Sequence, residues 1–200
     1  MHDPADLADR YAHRAYTLRR KVFKILGGAF HLYDPVGNVV LYSKQKAFKL
    51  KEDIRLYTDE SMAQEVLQIK TQSVWDISGT YQVVDTLEGV TVGGLRRRGM
   101  KSMFKDEWLI LDAQGQEVGK IEEDSTLKAV LRRINDGLAS LMPQGYHATI
   151  GGEQVAAYQQ NFNPFVRKIA VDFGDDTGNR FDPRLGLAAA VLLCAVEGKQ

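Results

Sequence analysis

Residues 185–196 constrain the fold of this chain more than any other stretch, because these twelve residues include no charged and no strongly polar side chain. Pro183 follows Asp182 directly before the run, an arrangement typical of a helix start. A helix that is apolar on every side must lie inside a protein or inside a bilayer. At ~1.5 Å of rise per residue the run spans roughly 18 Å, whereas a bilayer core is roughly 30 Å thick. The sequence therefore predicts a buried core helix over residues 184–197 and disfavours a membrane span.

Upstream of this run, short segments alternate apolar with polar residues from Tyr16 onward, which indicates strands with one buried and one wet face. Ile169, Val171 and Phe173, for example, alternate with polar or small residues. Turn sequences separate the segments at 34–38, 87–89, 112–115 and 151–153. Counting the segments gives about eleven or twelve strands in successive hairpins, a number that suggests a sheet closed on itself.

The strands and the apolar helix are complementary. Eight strands make a barrel that its own side chains fill and sixteen leave a channel, so about twelve strands would enclose a lumen. A helix about 10 Å across and apolar all round would fill it. We therefore predict an all-β fold with helices, in which a closed antiparallel barrel of about twelve strands surrounds the C-terminal helix.

The predicted domain organisation is simple. Residues 1–15 form an N-terminal segment that could contain a short helix, and residues 16–200 form a single barrel domain. Within that domain a peripheral helix is predicted over 125–141, because apolar side chains recur there at steps of three, four and seven.

Composition and motifs exclude several function classes. Lys plus Arg and Asp plus Glu both number 26, and a neutral chain argues against a general nucleic-acid binder. The single cysteine, Cys194, lies inside the apolar run, where it needs no catalytic explanation, and it fits a reducing compartment. No secretory signal, zinc-ligand spacing, nucleophile elbow or phosphate loop is visible in the sequence. We therefore expect a cytoplasmic protein that is not an enzyme and uses no metal and no cofactor.

The best functional candidate is a basic run in a predicted hairpin. Its cations are Arg96, Arg97, Arg98, Lys101 and Lys105, and they are interleaved with Met100, Met103 and Phe104. Clustered cations beside apolar side chains suit an anionic membrane surface, at roughly 1 kcal/mol for each Lys or Arg. The alternative is a solvated hairpin tip whose apolar residues cover the end of the barrel.

Two other charged clusters have plainer explanations. The cations Arg19, Arg20, Lys21 and Lys24 are expected to lie on a wet face of the first strand. The acids Asp172, Asp175, Asp176 and Asp182 do not match the spacing of a calcium loop and are expected to form a turn with helix-capping residues. Trp75 and Trp108 are expected in the core or at the barrel rim.

Three features of the sequence resemble the LURP-one-related family. They are the start of the first strand at Tyr16–Lys21 with its letters LRRK, the turns DPVGN and DAQGQ, and the terminal DPRLGLAAAVLL. That family shares the tubby C-terminal-like fold with tubby proteins and phospholipid scramblases. The resemblance covers residues 16–198 and implies a closed antiparallel barrel around a hydrophobic C-terminal helix. It also implies anionic lipid ligands, since tubby domains bind phosphoinositides through surface Lys and Arg, and scramblases are proposed to bind calcium just before their last helix.

These observations lead to ranked functional hypotheses. The first is a non-enzymatic domain that binds anionic lipid headgroups or a membrane surface, which would make it peripheral to the membrane. The alternatives are a protein-interaction or scaffold domain without lipid binding, and scramblase-like lipid handling. An enzyme is the weakest hypothesis, because a plugged barrel leaves no central pocket. We expect no nucleic-acid partner and take a monomer as the default state.

Overall fold

Twelve antiparallel strands close into a barrel. The structure is a computed structural model that describes residues 9–23, 27–45, 53–71, 79–98, 107–124, 144–161 and 166–196. The strands are β1 (Ala15–Phe23), β2 (Gly27–Tyr33), β3 (Val39–Gln45), β4 (Asp53–Tyr57), β5 (Glu65–Thr71), β6 (Thr80–Asp85), β7 (Val90–Arg97), β8 (Glu107–Leu111), β9 (Glu117–Glu123), β10 (Gly145–Ile150), β11 (Glu153–Gln160) and β12 (Val166–Asp172). Each strand pairs with its neighbours along the chain, and β12 closes the barrel by pairing with β1. The predicted fold class is confirmed.

A single helix among the described residues, α1 (Pro183–Val196), runs through the inside of the barrel. Every hydrophobic side chain from Leu185 to Ala195 is at most 4% exposed. The helix contacts β1 and β12 on one wall and β7 on the other, and β7 stands six strands away from β1. A helix that is buried all round and contacts opposite walls must occupy the lumen. The predicted core helix is therefore confirmed, and it begins one residue earlier than expected.

The start of α1 is fixed by its own side chains. Asp182 Oδ1 accepts a hydrogen bond from the Arg184 backbone N–H at 2.9 Å, and the Asp182 carbonyl accepts one from Gly186 N–H at 3.0 Å. Pro183 occupies the first helical position, where no N–H is needed. The Arg184 guanidinium also donates to Asp85 Oδ2 at 2.8 Å, and its hydrogen bonds to the carboxylates raise its pKa. These contacts tie the start of the helix to the end of β6.

The alternation of the sequence matches the two faces of the barrel wall. Ile169 and Val171 of β12 are buried in the core cluster with α1, whereas Lys168 and Ala170, which alternate with them, are exposed. Trp108 is 1% exposed, so its predicted place in the core is confirmed. The four predicted turn sequences join β2 to β3, β6 to β7, β8 to β9 and β10 to β11.

Several sequence predictions fall outside the described residues. They concern the helix over 125–141, most of the 1–15 segment, Trp75, Lys24, Lys101 and Lys105. At the described end of the 1–15 segment, Ala12 N–H donates to the Asp9 carbonyl at 3.2 Å in a turn, and Ala15 already begins β1.

Asp176 organises the loop that leads from β12 into α1. Its side chain accepts hydrogen bonds from Arg180 N–H at 2.9 Å and from Phe181 N–H at 2.8 Å, one on each carboxylate oxygen. The Arg14 guanidinium donates to the Asp176 carbonyl at 2.8 Å. Since Asp176 is only 1% exposed, water cannot replace these bonds. The acids before α1 thus serve the turn and the helix start.

The replacement Asp176→Asn should lower the free energy of unfolding by about 1.5 kcal/mol. An amide can accept from only one of the two buried N–H groups, and its own NH₂ would face the other. Urea unfolding followed by circular dichroism measures the loss. The matched control is Asp175→Asn, because Asp175 is exposed and its carboxylate accepts a hydrogen bond from the Gln154 side chain, not from a buried N–H group. The control should stay within about 0.5 kcal/mol of the parent chain, and equal losses in both variants would contradict the assigned role.

Candidate functional site

The two ends of the barrel are built differently. At one end, which we call the hairpin end, lie the residues before β1, the turns joining β2–β3, β4–β5, β6–β7, β8–β9 and β10–β11, and the loop from β12 to α1. The opposite end, which we call the loop end, takes the connections β1–β2, β3–β4, β5–β6, β7–β8, β9–β10 and β11–β12. The N-terminus of α1 lies at the hairpin end and its C-terminus at the loop end.

In the sequence, the segments that connect the strands at the two ends differ in charge although the whole chain is neutral. The segments of the hairpin end contain eleven acidic and three basic residues: Asp3, Asp6, Asp9, Asp34, Asp59, Glu60, Glu88, Asp112, Asp175, Asp176 and Asp182 against Arg10, Arg14 and Arg180. The connections of the loop end contain ten basic and five acidic residues: Lys24, Lys46, Lys49, Lys51, Arg98, Lys101, Lys105, Lys128, Arg132 and Arg133 against Glu52, Asp76, Asp106, Asp124 and Asp136. By sequence, the connections of the loop end are therefore net basic and the segments of the hairpin end net acidic.

Three arginines of the predicted basic run are described, and they lie at the loop end. Arg96 and Arg97 are the last residues of β7, and Arg98 follows them. Arg96 points outward from the barrel, and its guanidinium lies 3.8 Å from a Glu117 carboxylate oxygen. Arg98 donates to Glu107 Oε1 at 2.8 Å, and this hydrogen bond raises its pKa. Both ion pairs are on the surface, where such pairs contribute at most about 1 kcal/mol.

Arg97 takes the opposite direction from its two neighbours. Its position pairs with Trp108 of β8, a core residue, and its charge lowers the otherwise raised pKa of Tyr81. The rings of Tyr81 and Trp108 pack against each other on the inner face of the wall, with centroids 5.9 Å apart. Arg97 is opposite Trp108 in the strand pair, so it lies on the inner face as well. The structure therefore does not place the three arginines on one face. Lys101 and Lys105 lie outside the described residues.

The cluster on β1 differs from the expected wet face. Lys21 is exposed and Arg19 is partly buried on the outer face, but Arg20 is buried on the inner face beside α1. The Arg20 guanidinium donates to the Cys194 carbonyl at 2.9 Å. The expectation of a wet face is therefore wrong for Arg20. Side chains two positions apart in a strand lie on the same face, and Leu18 lies on the inner face, so Arg20 lies there too.

No catalytic or metal-binding constellation is found among the residues that the structure describes. They contain no group of three or more His, Cys, Asp or Glu side chains that could hold a metal ion. Burial raises the pKa of the Cys194 thiol to about 11, so it carries no thiolate near neutral pH. His31 is buried on the outer face of the wall, and its Nε2 lies 2.7 Å from Glu60 Oε1. This pair contains no serine or cysteine that the histidine could activate as a nucleophile.

An outer groove of about 100 Å³ lies between β6, β7 and the β8–β9 turn. Its lining includes Gln82, Thr91, Gly94 and Asp112, and it includes no histidine. Pockets for drug-sized ligands usually measure roughly 300–1,000 Å³. The groove is therefore too small to support an enzymatic interpretation by itself.

No helix within the described ranges is long and apolar enough to cross a membrane.

Comparisons with known proteins supply a family and a fold. The sequence model of the LURP-one-related family matches residues 39–194. An X-ray structure of a protein from Arabidopsis thaliana is similar, with a TM-score of 0.52 and 14% sequence identity, and the match covers 94% of this chain and 95% of that chain. At this identity the likeness bears on the fold alone. No curated protein matches the chain.

Proposed function

The chain belongs to the LURP-one-related family, and from this premise we propose that it is a non-enzymatic domain whose loop end binds anionic lipid headgroups at a membrane surface. The observation that supports this proposal is the difference in charge, read from the sequence, between the connections that join the strands at the two ends. An anionic surface attracts the basic loop end and repels the acidic hairpin end, so the domain would approach a membrane in one orientation. Peripheral association from the cytoplasm follows from the same argument.

The lipid contacts would come from the basic run of Arg96, Arg97, Arg98, Lys101 and Lys105. Arg96 and Arg98 already have carboxylate partners in Glu117 and Glu107. Exposed pairs of this kind are worth about 0–1 kcal/mol, and a cation near an anionic membrane gains roughly 1 kcal/mol. Exchange of Glu107 for a lipid phosphate would therefore be close to neutral for Arg98, and the net gain would come from the other cations of the run.

Scramblase-like lipid handling is a weaker alternative. It would need α1 to leave the barrel and enter the bilayer, yet its 14 residues span only about 21 Å of a core roughly 30 Å thick. A protein-interaction or scaffold role without lipid binding is the remaining alternative. Vesicle binding separates it from the proposal.

The charge-reversed variant Arg96→Glu with Arg98→Glu should bind anionic vesicles at least about tenfold more weakly than the parent chain. Each reversal removes an attraction of roughly 1 kcal/mol and adds a repulsion. Cosedimentation with vesicles of phosphatidylcholine containing phosphatidylserine measures the partition. Vesicles of phosphatidylcholine alone should bind neither protein.

The matched control is Arg55→Glu with Arg180→Glu. Both arginines are partly exposed and ion-paired, Arg55 with Glu65 at 2.9 Å and Arg180 with Glu153, but neither lies at the loop end. The control changes net charge by the same amount and should lose much less affinity. Equal losses in the two double variants would mean that net charge, not the loop end, determines binding. Parent binding that does not depend on phosphatidylserine would overturn the lipid proposal.

A further inference from the structure

The pairing of β1 with β12 brings like charges directly opposite one another. Arg19 stands opposite Lys168 on the outer face, and Arg20 stands opposite Arg167 on the inner face. Lys21 follows at the next position of β1. Directly opposed like charges destabilise a sheet. A site where five cations occupy three consecutive register positions therefore needs a compensating partner.

The inner pair is only partly compensated by the protein. Arg20 is 6% exposed, donates one hydrogen bond to the Cys194 carbonyl and lies over the Phe30 ring at 5.4 Å from its centroid. The C-terminal end of a helix carries about half a negative charge, and the aromatic ring adds a weak attraction. Burial lowers the pKa of Arg20, and the neighbouring Arg167 lowers it further. About half a negative charge thus faces two guanidinium groups.

Both guanidinium groups also have donors without acceptors. Arg20 Nε and Arg167 Nη1 are buried and have no hydrogen-bond partner. Within the described ranges, neither arginine has a carboxylate partner. Buried donors of this kind are rare in native proteins and often mark the place of an ion or a water molecule. Arg167 as a whole is only half-buried, whereas Arg20 is buried.

We propose that Arg20 and Arg167 form an anion-binding site at the mouth of the barrel where α1 ends, and that the site takes a phosphate group, either free or as part of a phosphomonoester headgroup. A guanidinium presents N–H groups in a planar fork that matches two oxygens of a phosphate. The outward cations Arg19, Lys21 and Lys168 raise the local potential and draw the anion toward the mouth. The site lies on the wall opposite β7, so it does not depend on the basic run of the proposed function.

The test compares thermal unfolding of the full chain in sodium phosphate and in sodium chloride at equal ionic strength and pH. Phosphate stabilises proteins in general, so the decisive quantity is the difference between variants. The parent chain should gain about 3 °C more from saturating phosphate than Arg167→Gln does. Arg167 is the variant of choice because its partial exposure makes the replacement tolerable. The control Lys168→Gln removes the adjacent, outward cation but no donor of the site, and it should keep most of the parent's gain.

Isothermal titration with inorganic phosphate gives a second readout that does not depend on unfolding. The parent and Lys168→Gln should each bind one phosphate, and Arg167→Gln should bind at least tenfold more weakly. Vesicles containing phosphatidic acid then distinguish the sources: loss of vesicle binding in Arg167→Gln identifies a lipid headgroup, and unchanged vesicle binding identifies the free anion.

Two results would overturn the proposal. One is an equal phosphate effect in the parent chain and in Arg167→Gln. The other concerns Glu197, which follows α1 in the sequence and lies outside the described residues. If the parent binds no phosphate but Glu197→Gln does, the guanidinium pair is neutralised by the chain's own carboxylate.

Discussion

A chain truncated after Asp182 should fail to fold into a cooperative barrel. The deletion removes α1, which buries five large apolar side chains in the lumen: Leu185, Leu187, Val191, Leu192 and Leu193. At ~1.5–3 kcal/mol for each, they contribute on the order of 10 kcal/mol as an upper estimate. That is comparable to the whole net stability of a domain, about 5–15 kcal/mol. We expect an aggregating product with no near-ultraviolet circular dichroism and no sigmoidal urea transition.

The control for this truncation ends the chain after Val196, which removes residues 197–200 and keeps the whole of α1. It should unfold cooperatively with the near-ultraviolet spectrum of the parent chain. A soluble truncation after Asp182 with a sharp urea transition would show that the strands close without the helix. It would also make α1 available for another use, and the argument against scramblase-like lipid handling would lose its main support.

The barrel and its helix could be predicted because two independent patterns point to the same structure. The run 185–196 has no polar side, and the segments before it have one apolar side each. Only a closed sheet provides enough apolar wall to cover a helix on all sides. The turn sequences at 34–38 and 112–115 then placed the hairpins correctly, since their glycines adopt the positive φ values of 96° at Gly37 and 80° at Gly115.

The inner arginines could not be found from composition or clustering. Four cations in and just after the first strand suggest a wet face, but Tyr16 and Leu18 are buried and fix the parity that puts Arg20 inside. The same parity puts Arg167 on the inner face with Ile169 and Val171. What the sequence does not show is that Arg20 and Arg167, 147 positions apart, stand opposite each other. Closure of the barrel creates the contact, and only the three-dimensional register reveals it.

The difference in charge between the two sets of connections cannot be seen from the composition, for a similar reason. The sequence is neutral as a whole, and acidic and basic residues follow one another along it. In an up-and-down barrel, alternate connections join the strands at opposite ends, so the charges must be summed over every second connection before the difference appears in the sequence. The helix is oriented to match it, with its positive N-terminal end among the carboxylates and its negative C-terminal end near Arg20. The proposed membrane orientation depends on this difference in charge, whereas the proposed anion site depends on the register of β1 and β12.

Replacement of Gly186 by alanine should destabilise the protein although alanine is the better helix former. Helix propensity alone favours alanine over glycine by about 1 kcal/mol in a helix interior. However, a Cβ at this position would lie 2.6 Å from Cζ of Phe173 and would also press on Cε1 of that ring and on Phe181. Phe173 cannot move away, because its ring packs edge-on against Tyr16 and Phe181 with centroids 6.1 Å apart in both pairs.

The steric cost should therefore outweigh the propensity. Overpacking of a core usually costs about 1–3 kcal/mol, and more where the neighbours are rigid. We expect a net loss of about 2 kcal/mol, which corresponds to a fall in melting temperature of about 4–8 °C for a chain of this size. The hydrogen bond from Tyr158 Oη to the Gly186 carbonyl, 3.1 Å long, adds to the loss if the helix shifts. Differential scanning calorimetry of the two proteins measures the change.

A double-mutant cycle identifies the ring as the cause. In a Phe173→Leu background the same Gly186→Ala change should cost much less, because the smaller side chain leaves room for the added methyl group. The matched control is Gly178→Ala, since a Cβ there would meet only the flexible Arg180 side chain at 3.4 Å. That control should stay within about 0.5 kcal/mol of the parent chain. If Gly186→Ala proves as stable as the parent, α1 is not clamped between the barrel wall and the two phenylalanine rings, and the close approach at Gly186 is not what fixes the position of the helix.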